Sequence, residues 1–372
     1  MKTRELATAM AMLAVAAGTL VAAGPPEVAN VAKNPAEVPP PLARSKVSTV
    51  TVNLEAKEVI AEVVAPVLNP DNTVAIPAKK AWVWTFNGTI PGPMVRCMEG
   101  DTLVVNVSNP NTGNIEPHNV DFHATMGPGG GAAVTGVEPG QTKTLTFKAM
   151  RAGSYIYHCA GEGMPWEHVA YGMYGMIMVE PVGGLTPGYK EFYVGQSDWY
   201  WMRNADSVED HRDFLADDDL VLDRPRADEE LPTHYTFNGH LNALTKLKPL
   251  MVNQGDKVRI FFVNGGPNKA SSFHIIGQIF DKVYTGHPRN WMVNEETVLT
   301  PPGSAAVVEM TALVPGTYVL VDHALWRVPK GAGGHLHVMA TVPPTVDASG
   351  MVTDPGSWPL DLYSPITTGT GH

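Results

Sequence analysis

Cysteine is almost absent from this chain: two residues, Cys97 and Cys159, among 372. A fold stapled by several disulfides is therefore excluded. One Cys97–Cys159 bridge is the simplest use of the pair, but Cys159 stands among histidines at ligand spacing, which leaves Cys97 as a buried thiol in a strand-like stretch. Positive charge is also scarce, with 26 Lys and Arg against 37 Asp and Glu and a formal net charge of -11. No nucleic-acid partner is expected, because neutralising phosphates takes a basic surface; an acidic molecule suits a basic electron-donor protein better. The apolar run from Ala7 to about Ala23 follows Lys2 and Arg4 and ends at Gly24-Pro25-Pro26. This reads as an export signal over residues 1–24, hence a periplasmic protein, and not as a membrane anchor, which needs ~20 apolar residues and a firmer flank. Residues 25–45, rich in Pro and Ala, read as an extended, mobile linker.

What the chain has in quantity is punctuation. Thirty-six Gly and 32 Pro among abundant Val, Thr and aromatics indicate short strands joined by turns, an all-β protein. The length suits two domains, each with its own core, and the chain repeats itself in outline. "TFNG" occurs at 85–88 and 236–239; a Gly-Asp turn then enters an apolar strand, "EGDTLVVNVSN" at 99–109 and "QGDKVRIFFVN" at 254–264. A further turn leads into a Tyr-containing strand, "AGSYIYHCA" at 152–160 and "PGTYVLVDHA" at 315–324. Two Greek-key β-sandwiches of the cupredoxin type are expected, over 46–183 and 184–345, with a C-terminal tail from 346 to 372. The acidic stretch 196–233 reads as a solvated loop with a short helix, and Trp199, Tyr200 and Trp201 as packing or a subunit contact.

The chemistry concentrates in "HNVDFH" at 118–123 and "YHCAGEGMPWEHVAYGM" at 157–173. A thiolate, two imidazoles and a weak axial thioether are what a blue, type 1 copper centre requires. Cys159, His168 and Met173 share one loop, at spacings of nine and five residues, and His118 comes from a neighbouring strand. Met164, just before Pro165, is the second choice for the axial sulfur. Neighbouring side chains on a strand point to opposite faces. If Cys159 and His118 face inward, His158, Asp121 and His123 face outward together. Two histidines make half a metal site; the second repeat offers His323 as a third, while Asp322 there replaces the thiolate. His335 and His337 in "GHLHV" read as an exposed strand pair, and Met176 and Met178 as core.

In this order the motifs resemble the two-domain copper-containing nitrite reductases, from about residue 80 to 340. The resemblance implies a homotrimer, with His118, Cys159, His168 and Met173 on a type 1 copper and His123, His158 and His323 on a type 2 copper between subunits. One copper of each type per subunit follows. "SSFHIIG" at 271–277 resembles the family's catalytic segment, which makes His274 a catalytic histidine and Ile276 the residue over the copper; Asp121 matches the catalytic aspartate. The implied activity is dissimilatory reduction of nitrite to nitric oxide and water, with electrons from a small redox protein, a cupredoxin or a c-type cytochrome. One departure is Glu167, placed directly before His168 where many members have "PWH". A two-domain laccase-like oxidase is the enzyme alternative, disfavoured because position 160 is Ala and not the His a trinuclear cluster needs; a cupredoxin electron carrier would have no use for the outward trio.

Overall fold

The computed structural model describes residues 28–349 and 352–364. The expected signal at 1–24 and the end of the tail lie outside the described residues.

Strand alternation builds the first sandwich: in Thr102–Asn109, Leu103, Val105 and Val107 turn inward while the residues between face water. One sheet runs Thr49–Val64 beside Lys79–Phe86 and Thr102–Asn109, with Gln141–Lys148 at its edge. The facing sheet orders Val95–Met98, Tyr174–Glu180, Gly153–His158 and Asp121–Phe122. The second sandwich repeats this plan. Tyr189–Trp199 pairs in parallel with Lys257–Gly266, as Thr49–Val64 does with Thr102–Asn109, and Gly316–Asp322 takes the place of Gly153–His158.

The duplicated "TFNG" segments adopt one turn. Asn87 and Gly88 have φ of 58° and 80°, Asn238 and Gly239 of 55° and 78°, the left-handed region that Asn and Gly tolerate best. Each Asn side chain accepts a backbone N–H from the partner strand, Glu55 and Gly195, at 2.8 Å.

Two stretches depart from expectation. Residues 28–45 do not hang free: Val31, Ala32 and Lys33 are buried, Ile90 N–H donates to the Val31 carbonyl at 2.9 Å, and Tyr193 N–H donates to that of Pro35 at 2.8 Å. The segment is docked along both domains because its backbone groups find partners there. The acidic stretch is not simply a solvated loop either. Trp201–Arg203 and Leu220–Leu222 return to the first domain's larger sheet, and Asn204 and Asp210 are buried; the short helix is Arg224–Asp228. Trp199 and Trp201 stack at 4.8 Å inside a core shared by the two sandwiches, with Tyr174, Tyr193 and Phe261. A chain of buried ion pairs crosses the same seam: Arg96 meets Glu180 and Glu191, and Arg259 meets Glu191 and Glu309.

Candidate metal centres

The strand Gly153–His158 ends where the chain turns, so that consecutive residues serve opposite sides of the sheet. On the inner side Cys159 Sγ lies 3.1 Å from His168 Nδ1 and 3.7 Å from His118 Nδ1, and the two nitrogens are 3.4 Å apart. All three residues are buried. A triangle of that size has its centre about 2 Å from each corner, a metal–ligand bond length, so these donors fit a small soft cation. Met173 is buried in the same core, and its carbonyl accepts the Cys159 N–H at 3.0 Å. Burial pushes the Cys159 thiol up, but the neighbouring His168 charge and hydrogen bonds from both imidazoles outweigh it and bring the group down to about 5. Thiolate is the ligating form. The indole of Trp84 packs edge-on against His118 and His168, at ring distances of 5.4 and 4.8 Å.

His168 sits on the short helix Pro165–Ala170. Glu167, the residue that departs from the family pattern, is clamped by Arg224, whose Nη1 donates to Oε2 at 2.9 Å; Arg224 also holds Asp210. The acidic connection thus reaches back to brace the ligand helix. Cys97 is a free, buried thiol on Val95–Met98, pushed up to about 12 by burial.

On the outer side Asp121 pairs across the sheet with His158. His123 Nε2 and His158 Nε2 approach to 3.1 Å, and Asp121 Oδ2 lies 3.9 Å from His158 Nε2. His158 donates its Nδ1–H to the Cys159 carbonyl at 3.0 Å, which leaves Nε2 as the free donor atom. Burial, then the His158 charge, hold His123 below the ordinary imidazole range, favouring the neutral ligand form.

His323 does not join this cluster within the chain. It lies exposed on the second domain, 5.1 Å ring to ring from His274, with Ile276 exposed beside them. His274 donates Nδ1–H to the Glu296 carbonyl at 2.6 Å. Where the first domain has Cys159, the second has Asp322, buried and filled by an internal cation: Arg327 Nη1 lies 2.6 Å from Oδ2, with Gln196 Nε2 at 2.9 Å. His335 and His337 are half-buried neighbours on Gly333–Met339, with His337 Nδ1 2.8 Å from Thr317 Oγ1.

Sequence reasoning missed three residues that shape these clusters. Gly130 lies against Asp121, Gly161 against the His168 ring, and Glu58 against His118. The run Gly129-Gly130-Gly131 was a visible signal for the first; nothing in "CAGEG" marked the second.

Two family models, each described as multicopper oxidase, match residues 70–183 and 190–336. The copper-containing nitrite reductase of Neisseria meningitidis serogroup A is 40% identical over 322 residues, 86% of this chain and 78% of the relative. The copper-containing nitrite reductase of Alcaligenes xylosoxydans xylosoxydans is 40% identical over 258 residues, 66% of this chain and 76% of the relative. Among solved structures, a copper nitrite reductase from Nitrosomonas europaea aligns with a TM-score of 0.64 at 29% identity, covering 78% of this chain and 94% of that one.

Proposed function

The chain belongs to the copper-containing nitrite reductases, within the multicopper oxidases, and on that premise we infer that it reduces nitrite, with one electron and two protons, to nitric oxide and water. The observation that carries this reading is that Cys159 and His158, joined by one peptide unit, enter two different ligand clusters. His118, Cys159, His168 and Met173 would hold the type 1 copper. His123 and His158, with His323 of a neighbouring copy, would hold the type 2 copper, one of each per subunit.

Copper, when bound, supplies a one-electron relay at the first cluster and Lewis-acid polarisation of a nitrite oxygen at the second. The protein's own groups do the rest. Asp121, beside His158 Nε2, is placed to hydrogen-bond a nitrite oxygen and deliver the first proton. His274 has committed Nδ1–H to a carbonyl, so Nε2 is the atom that carries and releases the second. Ile276 limits how the substrate tilts. The Cys159–His158 peptide, with the hydrogen bond from His158 Nδ1 to the Cys159 carbonyl, is the path between the clusters.

A homotrimer supplies the missing histidine, since a head-to-tail ring sets each subunit's His323 against the next subunit's His123 and His158. The electron donor in this reading is a cupredoxin or c-type cytochrome docking near exposed Trp166, on the helix that carries His168. Export to the periplasm rests on Lys2, Arg4 and the apolar run that follows.

The test is nitric oxide release from nitrite by copper-loaded protein with a reduced donor. In His158→Ala the visible type 1 band should persist while turnover falls by at least ~100-fold; retained turnover would rule out the two-cluster path.

A further inference from the structure

Glu58 lies on Thr49–Val64 with its side chain wholly shielded from water. Among the described residues its one ion-pair partner is His118. Oε1 is 3.1 Å from His118 Nε2 and accepts the N–H groups of Ile115 and Glu116 at 3.0 and 2.8 Å. Three donors on one oxygen is the pattern of an ionised carboxylate. Oε2 is buried and has no hydrogen-bond partner among the described residues. A buried negative charge left half-satisfied is costly unless a positive charge offsets it. Among the described residues no Lys or Arg pairs with it; Arg212, the partner of the neighbouring Glu116, is turned to that residue and to Asp210.

We propose that Glu58 is a positioning residue for the type 1 copper and the group that keeps its reduction potential low. By accepting Nε2–H from His118 it fixes the tautomer, which leaves the Nδ1 lone pair facing Cys159 Sγ and His168 Nδ1. Its charge then completes a count. A bound cupric ion with one thiolate would carry a single net positive charge, which Glu58 would cancel; one-electron reduction would leave the same buried group with a net negative charge. A low-dielectric surrounding penalises that second state. Glu58 would thus disfavour retention of the electron at this site and favour its release toward His158.

The inference rests on the copper reading, and its test separates the two. Glu58→Gln keeps an acceptor oxygen for His118 and removes the charge; Glu58→Asp keeps the charge and lengthens the contact. The readout is the midpoint potential of the visible type 1 band, titrated apart from any turnover assay. Glu58→Gln should retain the band and shift the electron equilibrium toward the type 1 site by tenfold or more, which is at least about 59 mV, while Glu58→Asp stays near the parent potential with a perturbed band. Failure of Glu58→Gln to hold type 1 copper, with Glu58→Asp still loaded, would overturn the potential-setting role and leave Glu58 as a group needed for metal binding. An unshifted potential in loaded Glu58→Gln, or equal rises in both variants, overturns the inference and leaves the copper reading standing. A parent protein with no type 1 band fails that reading itself.

Discussion

A β-carbon at residue 161 would lie 2.4 Å from His168 Cε1 and 2.5 Å from the Pro117 carbonyl oxygen. Backbone and ligand ring leave nowhere for it to go, so Gly161→Ala should displace His168 and weaken or abolish the type 1 band, read directly from the visible spectrum of copper-loaded protein. At residue 130 a β-carbon would fall 1.7 Å from Asp121 Oδ1, and the backbone there has φ of 54°. Gly130→Ala should therefore leave the type 1 band intact and lower turnover by at least ~10-fold, through displacement of Asp121, the proposed proton donor. The clustering of Cys159 with His118 and His168, and of His158 with Asp121 and His123, was legible in the sequence because metal chemistry restricts candidate donors to a few residue types at tight spacing. Their supports were less so. Glu58 shares strand parity with inward Leu54, Ala56 and Ile60, a signal that Glu55 and Lys57 beside it disguised as surface charge.

Asp198 shows what a single strand can store. It sits near the end of Tyr189–Trp199, where Oδ2 accepts from Tyr200 Oη at 2.6 Å and Asn268 N–H at 3.2 Å, while Oδ1 is buried without a partner. Burial pushes this carboxyl up from 3.8 to about 6. A group whose folded value is raised favours the protonated form on folding, so its contribution is full below about pH 4 and lost as pH rises through about 6. Asp198→Asn does not titrate. Its stability relative to the parent should rise by up to about 3 kcal/mol between about pH 4 and pH 7, measured by urea unfolding at both ends; a constant difference would count against the raised value. Long alternating strands such as Thr102–Asn109 were readable from their pattern. Trp201–Arg203 and Leu220–Leu222 were not, because three residues hold too little periodicity to outweigh the acidic composition around them. The same stretch hid Arg224, whose pairing with both Glu167 and Asp210 exists only in three dimensions.

At the scale of the whole molecule, the histidines that the proposed type 2 copper would need lie on different domains, His123 and His158 on the first and His323 on the second. His123→Ala and His323→Ala should each be inactive as pure proteins. Unfolded together and reassembled in equal amounts, they should regain about a quarter of parent activity, since a ring of subunits lets an intact His123 face meet an intact His323 face in about one pairing of four. No recovery despite mixed assembly would place both halves in one subunit. The duplicated plan was legible because the Asn-Gly turns and Gly-Asp turns recur in order. The docking of residues 28–45 was not, because Pro- and Ala-rich composition says nothing of a groove that only the two folded sandwiches create.

The Asp322–Arg327 pair gives the two sandwiches unequal dependence on nutrition. In the first the charge of the buried thiolate is left to a bound cation that the cell must supply; in the second the charge of Asp322 is met by Arg327 of the polypeptide itself. In a cell starved of copper, the charge at this position would depend on an outside ion in one half of each molecule and on the chain alone in the other.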